Sequence, residues 1–237
     1  MLKLIIAYDG THYFGWQKTK AGPSIQEELE KAIWQITRER ALPEAASRTD
    51  RGVHAEGQVV QFRLTQEWDP QKIKGGLNAV LPKDIRVKAA ARQNFHPTLD
   101  AIGKEYRYQI CLGEAQDPTR RLYSWHCRYP LDGDPIREAA SRLVGTHDFT
   151  AFANEREKDP ICTLQSIEWN GQFFRIQGNR FLYKMVRNLV GTLVYVGCGK
   201  IGIESVGEIL ASKDRKRAGV TAPAHGLYLH QVFYPLK

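Results

Sequence analysis

Hydrophobic and polar positions repeat with two periods along this chain, and the elements they predict fall into two similar runs. Leu2 to Tyr8 reads as a buried first strand, ended by the turn chemistry of Asp9-Gly10-Thr11. Ser24-x-x-Glu27 is a capping box, and Ile25, Leu29, Ala32, Ile33 and Ile36 follow at helical spacing. Val60, Phe62 and Leu64 alternate with Gln61 and Arg63, which predicts a half-buried strand over 58–64 and a loop before it. Asp69-Pro70 opens a second helix, and Ile85, Val87 and Ala89 mark a further strand.

After a loop around His96-Pro97 the pattern starts again. Tyr106, Tyr108, Ile110 and Leu112 alternate with Glu105, Arg107, Gln109 and Cys111, a strand. Asp134-Pro135 is expected to cap a helix carrying Ile136, Ala140, Leu143 and Val144, closed by Gly145. Asn170-Gly171 between apolar runs predicts a hairpin. Phe181 to Val196 reads as one long apolar helix and Leu227 to Tyr234 as a last strand. The expectation is two α/β subdomains, 1–103 and 104–237, joined in one mixed, mainly antiparallel sheet flanked by helices and loops.

Composition narrows the class. The 237 residues are 42% hydrophobic and 25% charged, ordinary for a globular protein, and a chain this long can bury its own core. Cys111, Cys127, Cys162 and Cys198 form no CxxC pair, so a zinc ribbon or thiol redox motif is not expected and the cysteines read as reduced. The N-terminal apolar run is too short for a signal peptide, and Leu189 to Gly199 falls short of the roughly 20 residues of a membrane span. A cytoplasmic protein without a membrane segment is expected. Thirty-four Lys and Arg against 26 Asp and Glu leave a formal charge of +8, which favours a polyanion such as nucleic acid as partner.

The most unusual local segment is Ser47-Arg48-Thr49-Asp50-Arg51-Gly52-Val53-His54, a loop with one carboxylate between two arginines. Flanking positive charge keeps a carboxylate ionised, fit to act as nucleophile or general base, and arginines hold phosphates bidentately. A surface turn with a local ion pair explains the same pattern. Asp50 and His54 begin no recognisable metal set, and no P-loop, dinucleotide fingerprint or nucleophile elbow occurs. Arg187 is a basic residue among Leu182, Met185, Val186, Leu189 and Val190, so it either snorkels or pairs with a carboxylate from elsewhere. Aromatic and basic residues interleave at 104–108 and 180–184, a pattern that suits unpaired bases and phosphates as well as a packed sheet.

Six segments together resemble the tRNA pseudouridine synthase A (TruA-type) family. They are Tyr8-Asp9-Gly10-Thr11 with Gly15-Trp16-Gln17, Arg48-Thr49-Asp50 with Gly52-Val53-His54-Ala55, Tyr106-Arg107-Tyr108, Gly145-Thr146-His147-Asp148-Phe149, Phe181-Leu182 with Met185-Val186-Arg187, and Ala222-Pro223-Ala224 with Gly226-Leu227-Tyr228-Leu229. They span nearly the whole chain in the family's order. The resemblance implies the pseudouridine synthase fold, with an active-site cleft between the subdomains. It implies isomerisation of uridine to pseudouridine in the anticodon stem-loop of tRNA, at positions 38 to 40, by a homodimer with no metal or nucleotide cofactor. Asp50 matches the family's catalytic Asp, Tyr106 the active-site Tyr that stacks on the base, and Arg187 the basic partner of the Asp. Arg48 matches an arginine implicated in extruding the base. Thr49, Arg51, His54, Arg107, Phe181 and Leu182 are the further substrate-binding candidates. Ser47 stands where the family has Gly, Arg51 where a small residue is common, and Thr98 and Gln165 where basic residues occur.

A non-catalytic RNA-binding protein of the same fold is the alternative. A two-carboxylate glycosidase is a third reading, with Glu56 as the nearby acid. The positive excess is expected to serve RNA through Arg48, Arg51, Lys104, Arg107 and Lys184. tRNA affinity should then fall steeply with salt, and a binding isotherm unchanged between 50 and 200 mM salt would contradict that use of the charge.

Overall fold

The fold is described from a computed structural model, for residues 1–235. The chain forms two compact units, one of residues 1–102 with 228–235, the other of residues 103–227. The sequence pattern assigns the final strand to the second half, but β10 (Leu227–Phe233) runs parallel to β3 (His54–Phe62), with Tyr228 opposite His54, and its residues from 228 belong to the first unit. Backbone pairing over this distance leaves no mark in local periodicity.

In the first unit β1 (Leu2–Tyr8) lies antiparallel to both β3 and β4 (Ile85–Arg92), so Leu4 faces Val60 on one side and Ala90 on the other. The other edge of β3 is shared. Its first residues pair with β10 and its last with the short β2 (Glu44–Ala45). Alternate residues of β1 are buried, with Leu4 and Ile6 fully enclosed. Helix α1 (Ile25–Thr37) starts where the capping box predicts, Ser24 Oγ accepting from the Glu27 amide at 3.2 Å. It buries Ile25, Leu29, Ala32 and Ile33 and packs on α2 (Pro70–Val80), which Asp69 caps and which lies against β4. Strand β3 begins at His54 rather than 58, because its first residues already pair with β1 and β10.

The second unit holds β5 (Gly103–Leu112), β7 (Gly145–Asp148), β8 (Ile161–Trp169) and β9 (Phe173–Gly178), antiparallel in the order β5-β9-β8-β7. The short β6 (Trp125–Cys127) adds to β5 in parallel. The hairpin between β8 and β9 forms where Asn170-Gly171 predicts it. Asn170 Oδ1 accepts from the amides of Gln172 and Phe173, and Gly171 takes φ +94°. Helix α3 (Gly133–Ser141) is capped by Asp132 rather than Asp134, and packs against β8, α4 (Met185–Gly197) and α5 (Ile203–Ser212).

Helix α4 starts later than its apolar pattern predicts. Lys184 takes the left-handed conformation (φ 59°), so residues 181–184 form an irregular approach and Arg187 sits in the first turn of the helix, not its middle. The body of α4 is buried almost all round, which explains its continuous apolar character. Both units are thus mixed α/β, with mainly antiparallel sheets and packed helices, the class the periodicity predicts. Among the described residues no helix is long and apolar enough to cross a membrane, and all four cysteines are free.

Gly191 marks the tightest approach on α4, since a Cβ there would lie 1.7 Å from the Val220 carbonyl oxygen. Gly191→Ala should destabilise the protein by about 1–3 kcal/mol through overpacking, read as a lower urea midpoint. An unchanged midpoint would show that the 220 segment yields freely.

Candidate active site

Asp50 lies on the loop between β2 and β3, half-buried, and the loop around it is held from two sides. From β3, the fully buried Gln58 accepts from the Ser47 amide through Oε1 (3.2 Å) and donates Nε2–H to the Ser47 carbonyl (2.6 Å). A second Nε2 contact reaches the Tyr8 hydroxyl at 3.4 Å, and that hydroxyl lies 2.8 Å from Thr49 Oγ1. Burial pushes the Tyr8 phenol up to about 12, so it keeps its proton at neutral pH. The Tyr8 and Thr49 hydroxyls share one hydrogen bond, which either can donate.

From the other side, Trp16 N–H donates to the Thr49 carbonyl (3.0 Å) and Gly52 N–H to the Tyr13 carbonyl (3.3 Å). Within the loop Val53 N–H donates to the Asp50 carbonyl at 3.1 Å. Two glycines make this approach possible. A Cβ on Gly10 would lie 2.0 Å from the Val53 oxygen, and one on Gly15, at φ +97°, 2.5 Å from the Thr49 oxygen. The segments 8–11 and 15–17 therefore brace the loop that carries Asp50.

The other candidates of this loop separate by exposure. Arg48 and Arg51 are exposed and neither forms an ion pair among the described residues, so the local ion pair of a simple surface turn is not what shapes the loop. The Arg51 guanidinium lies 4.2 Å from the centre of the Phe14 ring. Thr49 is buried and faces Tyr8. His54 is only 2% exposed, stacks on Tyr228 with ring centres 4.7 Å apart, and accepts the Gly10 amide at Nδ1 (3.0 Å). Asp9 Oδ1 lies 3.1 Å from the same ring nitrogen and accepts from the Thr11 amide (3.0 Å) and hydroxyl (2.6 Å). His54 supports the turn at Asp9-Gly10 and offers no open face to a substrate. Glu56, the acid of the glycosidase reading, is engaged with His230.

In the second unit, alternation along β5 sorts the candidates. Lys104, Tyr106 and Tyr108 share one face, while Glu105 and Arg107 share the other. Arg107 Nε binds Glu105 Oε1 at 3.1 Å, and its guanidinium lies 5.8 Å from the Phe173 ring. The parity of the strand thus puts Arg107 on the side opposite Tyr106, away from the surface where both were expected. Tyr106 is buried and meets Phe181 edge-on, ring centres 5.1 Å apart at 83°. Leu182 beside it is buried. Tyr108 is structural: its hydroxyl donates to the Pro223 carbonyl at 2.7 Å, and burial drives its phenol well above the ordinary range. A Cβ on Gly226 would come within 2.7 Å of the Tyr108 ring, so only glycine fits there.

Arg187 leaves the first turn of α4 toward the same 222–226 segment. Its Nε donates to the Ala222 carbonyl (2.7 Å), and the Ala222 amide donates back to the Arg187 carbonyl (3.1 Å). The guanidinium is thereby aimed by backbone, and it is half-buried. The snorkelling reading of this residue is replaced by a fixed one. Among the described residues no three His, Cys, Asp or Glu converge as a metal site. Gln58 is not singled out by the sequence, and Tyr8 enters there only as the end of the first strand and the start of a matching segment. The one available signal is an amide at 58 within a strand whose neighbours are Val59 and Val60.

Comparison with known proteins bears on this arrangement. A family model described as tRNA pseudouridine synthase matches residues 4–97 and 139–235, segments that contain Asp50 and Arg187, with Tyr106 between them. The chain is 49% identical to tRNA pseudouridine synthase A 2 of Protochlamydia amoebophila (strain UWE25), over 98% of this chain and 94% of that protein. It is 45% identical to tRNA pseudouridine synthase A of Thermoanaerobacter sp. (strain X514) and 42% to that of Bacillus subtilis (strain 168), each over 98% of both chains. With both units covered at this level of identity, the chain belongs to the tRNA pseudouridine synthase family.

Proposed function

We propose that this protein isomerises uridine to pseudouridine in the anticodon stem-loop of tRNA, at positions 38 to 40, with Asp50 as the reacting carboxylate. The observation that carries the reading is identity of 41–49% to tRNA pseudouridine synthases along 98% of the chain. The braced, half-buried loop around Asp50 supports the choice of residue. The reaction breaks the N1–C1′ bond, turns the uracil and joins C5 to C1′. The proton lost from C5 is matched by one gained at N1, so atoms balance without redox cofactor or nucleotide. Attack on C1′ and proton removal toward a glycal both start from ionised Asp50.

The remaining roles are those that the family resemblance implies. The target base leaves the stack at a cost of a few kcal/mol, and stacking on Tyr106 returns roughly 1–3 kcal/mol. Phe181 meets that ring edge-on, and the neighbouring Leu182 is a further candidate for the base. Arg187, aimed by Ala222, supplies the guanidinium that the family resemblance pairs with the reacting carboxylate. Exposed Arg48 and Arg51 meet the RNA, Arg48 where the base is extruded. The charge of +8 suits the tRNA body, and the working form is a cytoplasmic homodimer.

Release of tritium from tRNA labelled at uridine C5 reports turnover. Asp50→Asn should lower it more than about 1,000-fold while tRNA binding persists, and wild-type turnover in that variant would sink the assignment. Gln58→Leu removes the bonds that hold Ser47 and should lower kcat by about ten- to a hundred-fold with KM within about two-fold, as expected for a misplaced reacting group. A lower melting temperature with unchanged kcat would instead make Gln58 purely structural.

A further inference from the structure

Lys104 is an anomaly in the second unit. It opens β5 opposite Gly178 of β9, on the face that carries Tyr106, and it is half-buried. Among the described residues it makes neither a hydrogen bond nor an ion pair. Among the described residues its surroundings offer no counter-charge. Gly178 has no side chain, and Glu105 points to the opposite face, where it binds Arg107. The nearby cation, Arg180, already holds Asp159 at 2.7 Å and repels Lys104. Cys162, near Arg180, is kept a neutral thiol by burial, which pushes it up to about 11.

A snorkelling lysine reaches water and keeps an ordinary basicity. Here desolvation, with Arg180 second, lowers the ammonium to about 8. A desolvated cation without a partner costs stability, and it is retained most simply where a ligand brings the missing negative charge. Two residues along a strand span about 6.6 Å, comparable to the distance between a base and an adjacent phosphate.

We infer that Lys104, with Arg180 beside it, receives a backbone phosphate of the RNA next to the nucleotide whose base lies on Tyr106. This rests on the proposed tRNA reading. The phosphodiester supplies the counter-charge that the fold withholds, and Arg180 adds a second donor from the segment that also carries Phe181.

The test is tRNA binding by the full-length protein across salt and pH, with Lys104→Gln and Lys104→Arg. Binding favours the ammonium form, whereas the free protein loses that proton near pH 8. Wild-type affinity should therefore fall roughly ten-fold from pH 7 to 9, and this fall should vanish in both variants, since arginine stays charged and glutamine never is. At pH 7 the slope of log affinity against log salt should shrink by about 0.7–0.9 in Lys104→Gln and be kept in Lys104→Arg. A wild-type slope and pH profile in Lys104→Gln overturn the inference. So does a Lys104-dependent site that takes inorganic phosphate while the RNA slope stays unchanged. If these binding differences appear but the wild type forms no pseudouridine, the phosphate site stands and the proposed reaction falls.

Discussion

A buried amide governs the first unit. Gln58 uses both ends of its side chain on the backbone of a single residue, Ser47, and so replaces the ladder partner that a loop lacks. Its enclosure makes the pairing strict, because a buried amide left without partners costs about 1–3 kcal/mol for each unmade bond. The loop bearing Asp50 is consequently tied to β3 rather than free to wander. Tyr8, Thr49 and the amide of Trp16 extend the same tie to β1 and to the turn after it.

The second unit solves the corresponding problem with backbone. Arg187 and Ala222 exchange a side-chain and a main-chain bond, and Tyr108 holds Pro223, so the 222–226 segment and the start of α4 are fixed together. The late start of α4 matters for this. Had the helix begun at Phe181, Arg187 would emerge just over a turn further in. The left-handed Lys184 instead frees Phe181 to meet Tyr106 and places Arg187 at the helix entrance.

Two half-buried cations of this unit show how differently charge is handled. Arg215 is also desolvated, which lowers its basicity, yet it donates to Asn188 Oδ1 (2.8 Å), Thr221 Oγ1 (2.9 Å) and the Gly219 carbonyl (2.9 Å). Every direction it faces is answered from within the fold, so it cements the loop after α5. Lys104 has no such answer among the described residues. The contrast separates a cation used for architecture from one left for a ligand.

Much of the architecture was legible in the chain. Capping residues and helical spacing located α1 and α2, alternation located β1, β4 and β5, and Asn170-Gly171 located the hairpin, because each is decided by neighbours a few residues apart. The loop of Asp50 stood out for the same reason, its charges being adjacent. Tertiary structure alone decided the rest. It moved β10 into the first unit, turned Arg107 away from Tyr106, enclosed His54 and gave Gln58 its partner. Hydrophobic pattern records how deeply a position is buried, but not which distant segment buries it. It therefore ran unbroken through Phe181 to Val196 while the backbone reversed hand at Lys184.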